Sequence, residues 1–173
     1  MRLGLLAVLL LSSCGKPAEP AEPVGRLSVE WAGSATGSFA APAQASWCAR
    51  DSLLEVLAIR GDTGIAMSVL VTDSIQPARH PVLSPAIKVD WRPLALVAVR
   101  WASDTALKGF EATSGNLSLL ESPAGTVAGT VEVTMKRNEA ADTLRLTGNF
   151  DGVPVTPAVG QCGRVSTFGR VGP

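Results

Sequence analysis

From Leu27 onward the chain alternates between apolar and polar positions. Leu27, Val29 and Trp31 fall on one side and Ser28 and Glu30 on the other, the period-two signature of a half-buried strand. Residues 33–37 read as a turn. A second apolar patch begins at Phe39, is interrupted by Pro42, and resumes with Ala43, Ala45 and Trp47 against Gln44, Ser46 and Cys48. After a turn at 49–52, residues 53–59 are apolar on both sides apart from Glu55, which predicts a strand covered on both faces. Gly61-Asp62-Thr63-Gly64 is a hairpin signal, because Gly supplies positive φ and Asp caps turns locally. Residues 65–71 then return as a strand.

Residues 73–85 break the rhythm. Pro77, Pro81 and Pro85 stand there with Arg79 and His80, which predicts a long irregular surface loop. Alternation resumes at Ile87, Val89 and Trp91, stops at Pro93, and is followed by a strand over 94–102. Residues 103–108 read as a short helical turn, and 113–116 as a further turn after Phe110. Two hairpins follow. Residues 117–120 return as Val127, Val131, Val133 and Met135, with Thr130, Glu132, Thr134 and Lys136 outward. Leu144, Leu146 and Phe150 alternate with Thr143, Arg145, Thr147 and Asn149, and Asp151-Gly152 closes that strand. No segment carries a helical stripe. Short strands separated by turn signals predict an all-β fold: an antiparallel β-sandwich of about 8–9 strands, with a small closed β-barrel as the alternative.

The first residues are of another kind. Met1 and Arg2 give a short positive start, and the nine residues 3–11 are Leu, Ala, Val and Gly. Nine apolar residues are too few to cross a bilayer as a helix, which takes roughly 20. An ordinary secretory signal would prefer an A-x-A-like cleavage site. Leu11-Ser12-Ser13-Cys14 resembles the lipobox of bacterial lipoproteins instead. That resemblance implies removal of residues 1–13, a lipid thioether on Cys14 and acylation of the new amino terminus. Partnership with the lipid bilayer through Cys14 follows, in the cell envelope. Gly15 after the Cys is associated with outer-membrane sorting where two membranes exist. Residues 15–26, rich in Pro, Ala and Glu, form a tether that buries nothing, which leaves 27–173 as a single domain.

Cys48 and Cys162 remain, and in an exported protein such a pair is most simply a disulfide; two buried thiols are the other reading. Trp47-Cys48, the strand after it, Gly61-Asp62-Thr63-Gly64-Ile65-Ala66, Leu146-Thr147-Gly148, Gly152-Val153 and Cys162 together resemble the mycobacterial lipoprotein antigen family. The resemblance implies a small β-sandwich with those two cysteines joined, in surface lipoproteins that are not enzymes. The Pro/Glu tether and the residues beyond Cys162 depart from the family pattern.

Composition narrows the function. The 15 basic and 15 acidic residues balance and form no basic run, so nucleic acid is not expected as a partner. Motifs for nucleophile elbows, phosphate loops and zinc sites are absent, and His80, the only histidine, is too few for a catalytic or metal site, so neither cofactor nor metal is expected. Trp91 and Trp101, flanked by Arg92 and Arg100, make a candidate ligand platform, set against the plainer reading of core Trp with snorkelling Arg. A non-enzymatic structural, adhesive or binding module with an envelope or surface protein as partner is the leading expectation. A carrier of lipid or another apolar ligand is the alternative, and a hydrolase comes last. Small and branched residues in the strands predict a filled two-sheet core without a large cavity.

Overall fold

The computed structural model describes residues 25–84, 94–103, 106–137 and 141–158. They form nine strands: β1 (Arg26–Gly33), β2 (Gly37–Cys48), β3 (Leu53–Arg60), β4 (Thr63–Leu70), β5 (Ala78–Pro81), β6 (Leu94–Ser103), β7 (Ala106–Leu120), β8 (Thr126–Arg137) and β9 (Thr143–Pro157). The chain is all-β, as its alternation predicts. The two-sheet sandwich expected first does not form, nor does the small sandwich implied by the resemblance. Strands β7, β6, β4, β3, β2, β1, β9 and β8 pair antiparallel in that order, and β8 pairs back onto β7. The sheet therefore closes on itself as an eight-stranded barrel, the alternative architecture. Closure removes the edges that a sandwich would leave open.

Inward positions follow the period of two. Leu27, Val29 and Trp31 of β1, Leu54, Val56 and Ala58 of β3, and Ile65, Met67 and Val69 of β4 are all buried. Every wall strand contributes to one contiguous apolar cluster. Bulk is balanced by smallness across the barrel. Ala41, Ala43 and Ala45 on β2, with Ala58, Ala95 and Ala112, leave room for Phe39, Phe110 and Phe150. Strand β3 is not covered evenly on both faces: Leu57 is half-buried and Ile59 is 51% exposed, because one side of it looks outward.

Several boundaries differ from the sequence expectation, each for a local reason. The described residues of the helical turn expected over 103–108 belong to strands instead: Ser103 ends β6 and residues 106–108 open β7. Ser103 pairs with Ala106, and its Oγ donates to the Ala106 carbonyl. Residues 113–116 do not turn the chain either. They lie inside β7, where a bulge between Ala112 and Ser114 and a φ of +125° at Gly115 bend the strand without ending it. Strand β9 likewise passes through Asp151-Gly152, with Gly152 at φ +58°, and continues to Pro157. Its last residues pair in parallel with β2, Ala45 opposite Val155 and Trp47 opposite Pro157, and the Ala158 N–H donates to the Trp47 carbonyl. Pro42 does not break β2; it pairs with Arg26.

The loop expected at 73–85 hides β5. This four-residue strand pairs with the far half of β7, His80 opposite Leu117. Beyond it the Val82 N–H donates to the Gly115 carbonyl and the Leu83 N–H to the Ala95 carbonyl. Residues 78–83 thus wedge between β6 and β7 like a strap. The strand expected around Ile87, Val89 and Trp91 lies outside the described residues.

Candidate functional site

The barrel has two unlike ends. The hairpin end carries the β1–β2, β3–β4 and β6–β7 connections. The opposite, strap end carries the β2–β3 and β7–β8 turns, residues 71–84, the start of β1 and the end of β9.

At the hairpin end three aromatic rings pile across the interior. Trp101 stacks on Trp31 with centroids 5.2 Å apart and on Phe110 at 5.2 Å, nearly parallel in both cases. Alternation on β1, β6 and β7 sends all three side chains inward. Gly37 allows Trp31 its place, since a Cβ there would stand 2.6 Å from Cζ2 of the indole. Outside this stack lies an open depression of about 630 Å³, lined by Trp31, Glu30, Thr36, Ser38, Arg145 and Thr147 among others. The barrel registers create it: Glu30 stands between Ser38 on β2 and Thr147 on β9. Arg145 is held in a surface ion pair with Glu132 of β8. The result is a depression on the outer wall at the hairpin end, where Trp31 is bordered by hydroxyls and both signs of charge.

The strap end holds the one buried polar residue among those described. His80 is 2% exposed, shares its face with Leu117, and has no hydrogen-bond partner on either ring nitrogen among the described residues. Burial pushes its pKa below the ordinary value of 6.5, so the imidazole is neutral at pH 7. It lines a concavity of about 140 Å³ together with Val71, Thr72, Asp73, Ser74 and Gln76.

Of the candidate platform, Trp101 is the middle ring of the interior stack and Trp91 lies outside the described residues. Cys14 and Cys162 also lie outside them. Cys48 is buried, with its sulfur 3.6 Å from Asp51 Oδ2. No group of three His, Cys, Asp or Glu capable of holding a metal exists among the described residues. Sequence reasoning passed over Trp31 and His80 as site residues. The signal for Trp31 was present, an aromatic facing a Gly across a predicted turn. His80 gave none, because a lone His among prolines reads as surface. The chain matches no family model, no curated protein and no solved structure.

Proposed function

We propose that this chain is an extracytoplasmic lipoprotein, acylated at Cys14 and held on the membrane of the cell envelope, whose barrel is a non-enzymatic structural, adhesive or binding module. The observation that carries the reading is the contiguous apolar interior. Side chains from all eight wall strands meet inside the barrel, which leaves the ends and rims for recognition. The depression beside Trp31 is the larger of the concavities described above, and it offers a partner both apolar area and paired charges. The chain's one histidine has no nucleophile or carboxylate hydrogen-bonded to it among the described residues, which favours binding over hydrolysis.

Two measurements test this. Mass spectrometry of the detergent-extracted protein should give an amino-terminal peptide that begins at an acylated Cys14, and Cys14→Ala should leave the protein soluble or unprocessed. A mature terminus elsewhere with a free Cys14 thiol refutes the anchor. Native mass spectrometry of the Cys14→Ala chain addresses the alternative, a carrier of lipid or another apolar ligand, which the closed barrel favours over a sandwich. A stoichiometric lipid enclosed by the barrel would make it a carrier.

A further inference from the structure

We propose that residues 78–83 are an acid-released gate in the barrel wall: protonation of His80 drives this strap off β6 and β7 and opens a lateral slot into the apolar interior. The wall is incomplete without the strap. Strands β6 and β7 pair from Ala98 and Glu111 to Ser103 and Ala106. Towards the strap end they part, where the bulge and Gly115 bend β7. Beyond that point residues 94–97 pair with β4 along one edge, and the strap lies along the other. The Val82 N–H donates to the Gly115 carbonyl of β7 at 2.9 Å, the Leu83 N–H to the Ala95 carbonyl of β6 at 3.2 Å, and His80 stands opposite Leu117. Alternation turns His80 and Val82 inward, where each is 2% exposed, and leaves Arg79 outside. Val82 belongs to the same apolar cluster as Ala95, Leu117 and Leu119. With the strap released, those three side chains border a slot open to solvent.

His80 is the weak point of this closure. Neither ring nitrogen is hydrogen-bonded and neither reaches solvent, so the closed strap holds the ring in its neutral form. A charged imidazole carries a donor on each nitrogen and needs two acceptors. Among the described residues its surroundings offer neither acceptor nor countercharge. Leu117 faces it from β7, the strap's neighbour on β6 is Ala95, and on the loop before it Val71 is apolar while Thr72 and Ser74 are exposed. Asp73 and Arg79, the charged residues of 71–84, are exposed, and burial is what makes the ring resist a proton. A buried unpaired charge is costly, whereas the strap is held by four ladder positions and two further backbone bonds, so the strap yields before the barrel does. The sign follows from linkage. The closed state excludes the proton and the open state accepts it, so acid favours the open state.

The test uses the full chain carrying Cys14→Ala, so that it does not depend on acylation. Native-state hydrogen exchange, corrected for intrinsic rates, reads the opening at the amides of Val82 and Leu83. Their protection should fall about tenfold between pH 7.5 and 5.5, as proton uptake by an open-state imidazole with the ordinary pKa of 6.5 requires. Exchange at these two amides should depend little on added urea, and exchange at Val56 and Met67 in the β3–β4 pair should depend on it steeply, which separates local from global opening. In His80→Phe, an apolar ring with no proton to gain, the tenfold fall should vanish. His80 is the only histidine, so long-range proton–nitrogen spectra follow its ring in the wild type, a readout that stands whether or not His80→Phe folds. The ring of the closed barrel should still be neutral at pH 5.5. A ring that charges near pH 6.5 with the strap still protected overturns the proposal. So does unchanged protection at Val82 and Leu83, an equal fall in His80→Phe, or a urea dependence there as steep as at Val56 and Met67.

Discussion

At the scale of single residues, His80 sets a pH response that can be derived. Above its ordinary pKa of 6.5 the imidazole is neutral in both folded and unfolded chains and adds no pH dependence. Below that pH the unfolded chain takes up a proton that the buried ring resists, so stability falls as the pH drops towards the folded-state pKa and then levels off. Urea unfolding at pH 7.5 and 5.5 should therefore show a larger loss for the wild type than for His80→Phe; equal losses would mean that the ring is hydrated in solution. Gly148 makes the opposite point, about crowding. A Cβ there would collide with the Ser28 carbonyl and with Val29 on the neighbouring strand. Gly148→Ala should destabilise the barrel by about 1–3 kcal/mol, read from the urea midpoint, as overpacking generally does. In the sequence this Gly looked like part of a motif, and its role as the place where β9 approaches β1 closely came only with the pairing. Trp101 was legible as an aromatic on a strand. Its stacking partners were not, because Trp31 and Phe110 lie far from it in sequence.

Strands with regular alternation were read correctly from their own residues. β1, β8 and the first half of β9 each carry the period of two, and Gly61-Asp62 turns the chain where the glycines predicted. What alternation could not separate is a bend from a turn. Gly115 and Gly152 look like strand ends, yet cross-strand pairing continues on both sides of each, across a nearby shift in register. The strap shows the reverse failure: four residues among prolines have no periodicity to read, and β5 exists only because β7 is long enough to offer it a partner. Its hold is slight, four ladder positions on β7 and two further backbone bonds from Val82 and Leu83. Such a segment opens locally at a free energy well below global unfolding. Hydrogen exchange should find the amides of Val82 and Leu83 exchanging faster than those of Val56 and Met67 in the β3–β4 pair. Equal protection would place the strap in the cooperative core of the barrel.

At the scale of the whole molecule, closure is what the sequence concealed. Seven of the eight wall contacts join wall strands that follow one another along the chain, and these look the same in a sandwich as in a barrel. The pairing of β1 with β9 brings the two ends of the domain together, and it rests on residues more than a hundred positions apart. The same juxtaposition bears on the cysteines. Cys48 ends β2, one residue past Trp47, whose carbonyl accepts from the Ala158 N–H. The chain thus leaves the described barrel beside Cys48, and Cys162 comes four residues later. Four residues reach at most about 14 Å, enough to bring one sulfur to the other without moving the barrel wall. A Cys48–Cys162 bridge would fasten the C-terminal segment to the β2–β3 turn and close a loop of over a hundred residues. The chain-entropy model gives such a loop about 4–5 kcal/mol, or roughly 10 °C in Tm or more for a domain of this size. Thiol labelling of denatured, unreduced protein from its native envelope should find neither cysteine free. Reduction should lower Tm by that amount, and Cys162→Ser should lower it equally while making the protein insensitive to reductant. Complete labelling of both thiols, or a Tm indifferent to reductant in the wild type, would leave the C-terminal segment held to the barrel by the β2–β9 pairing without a bridge.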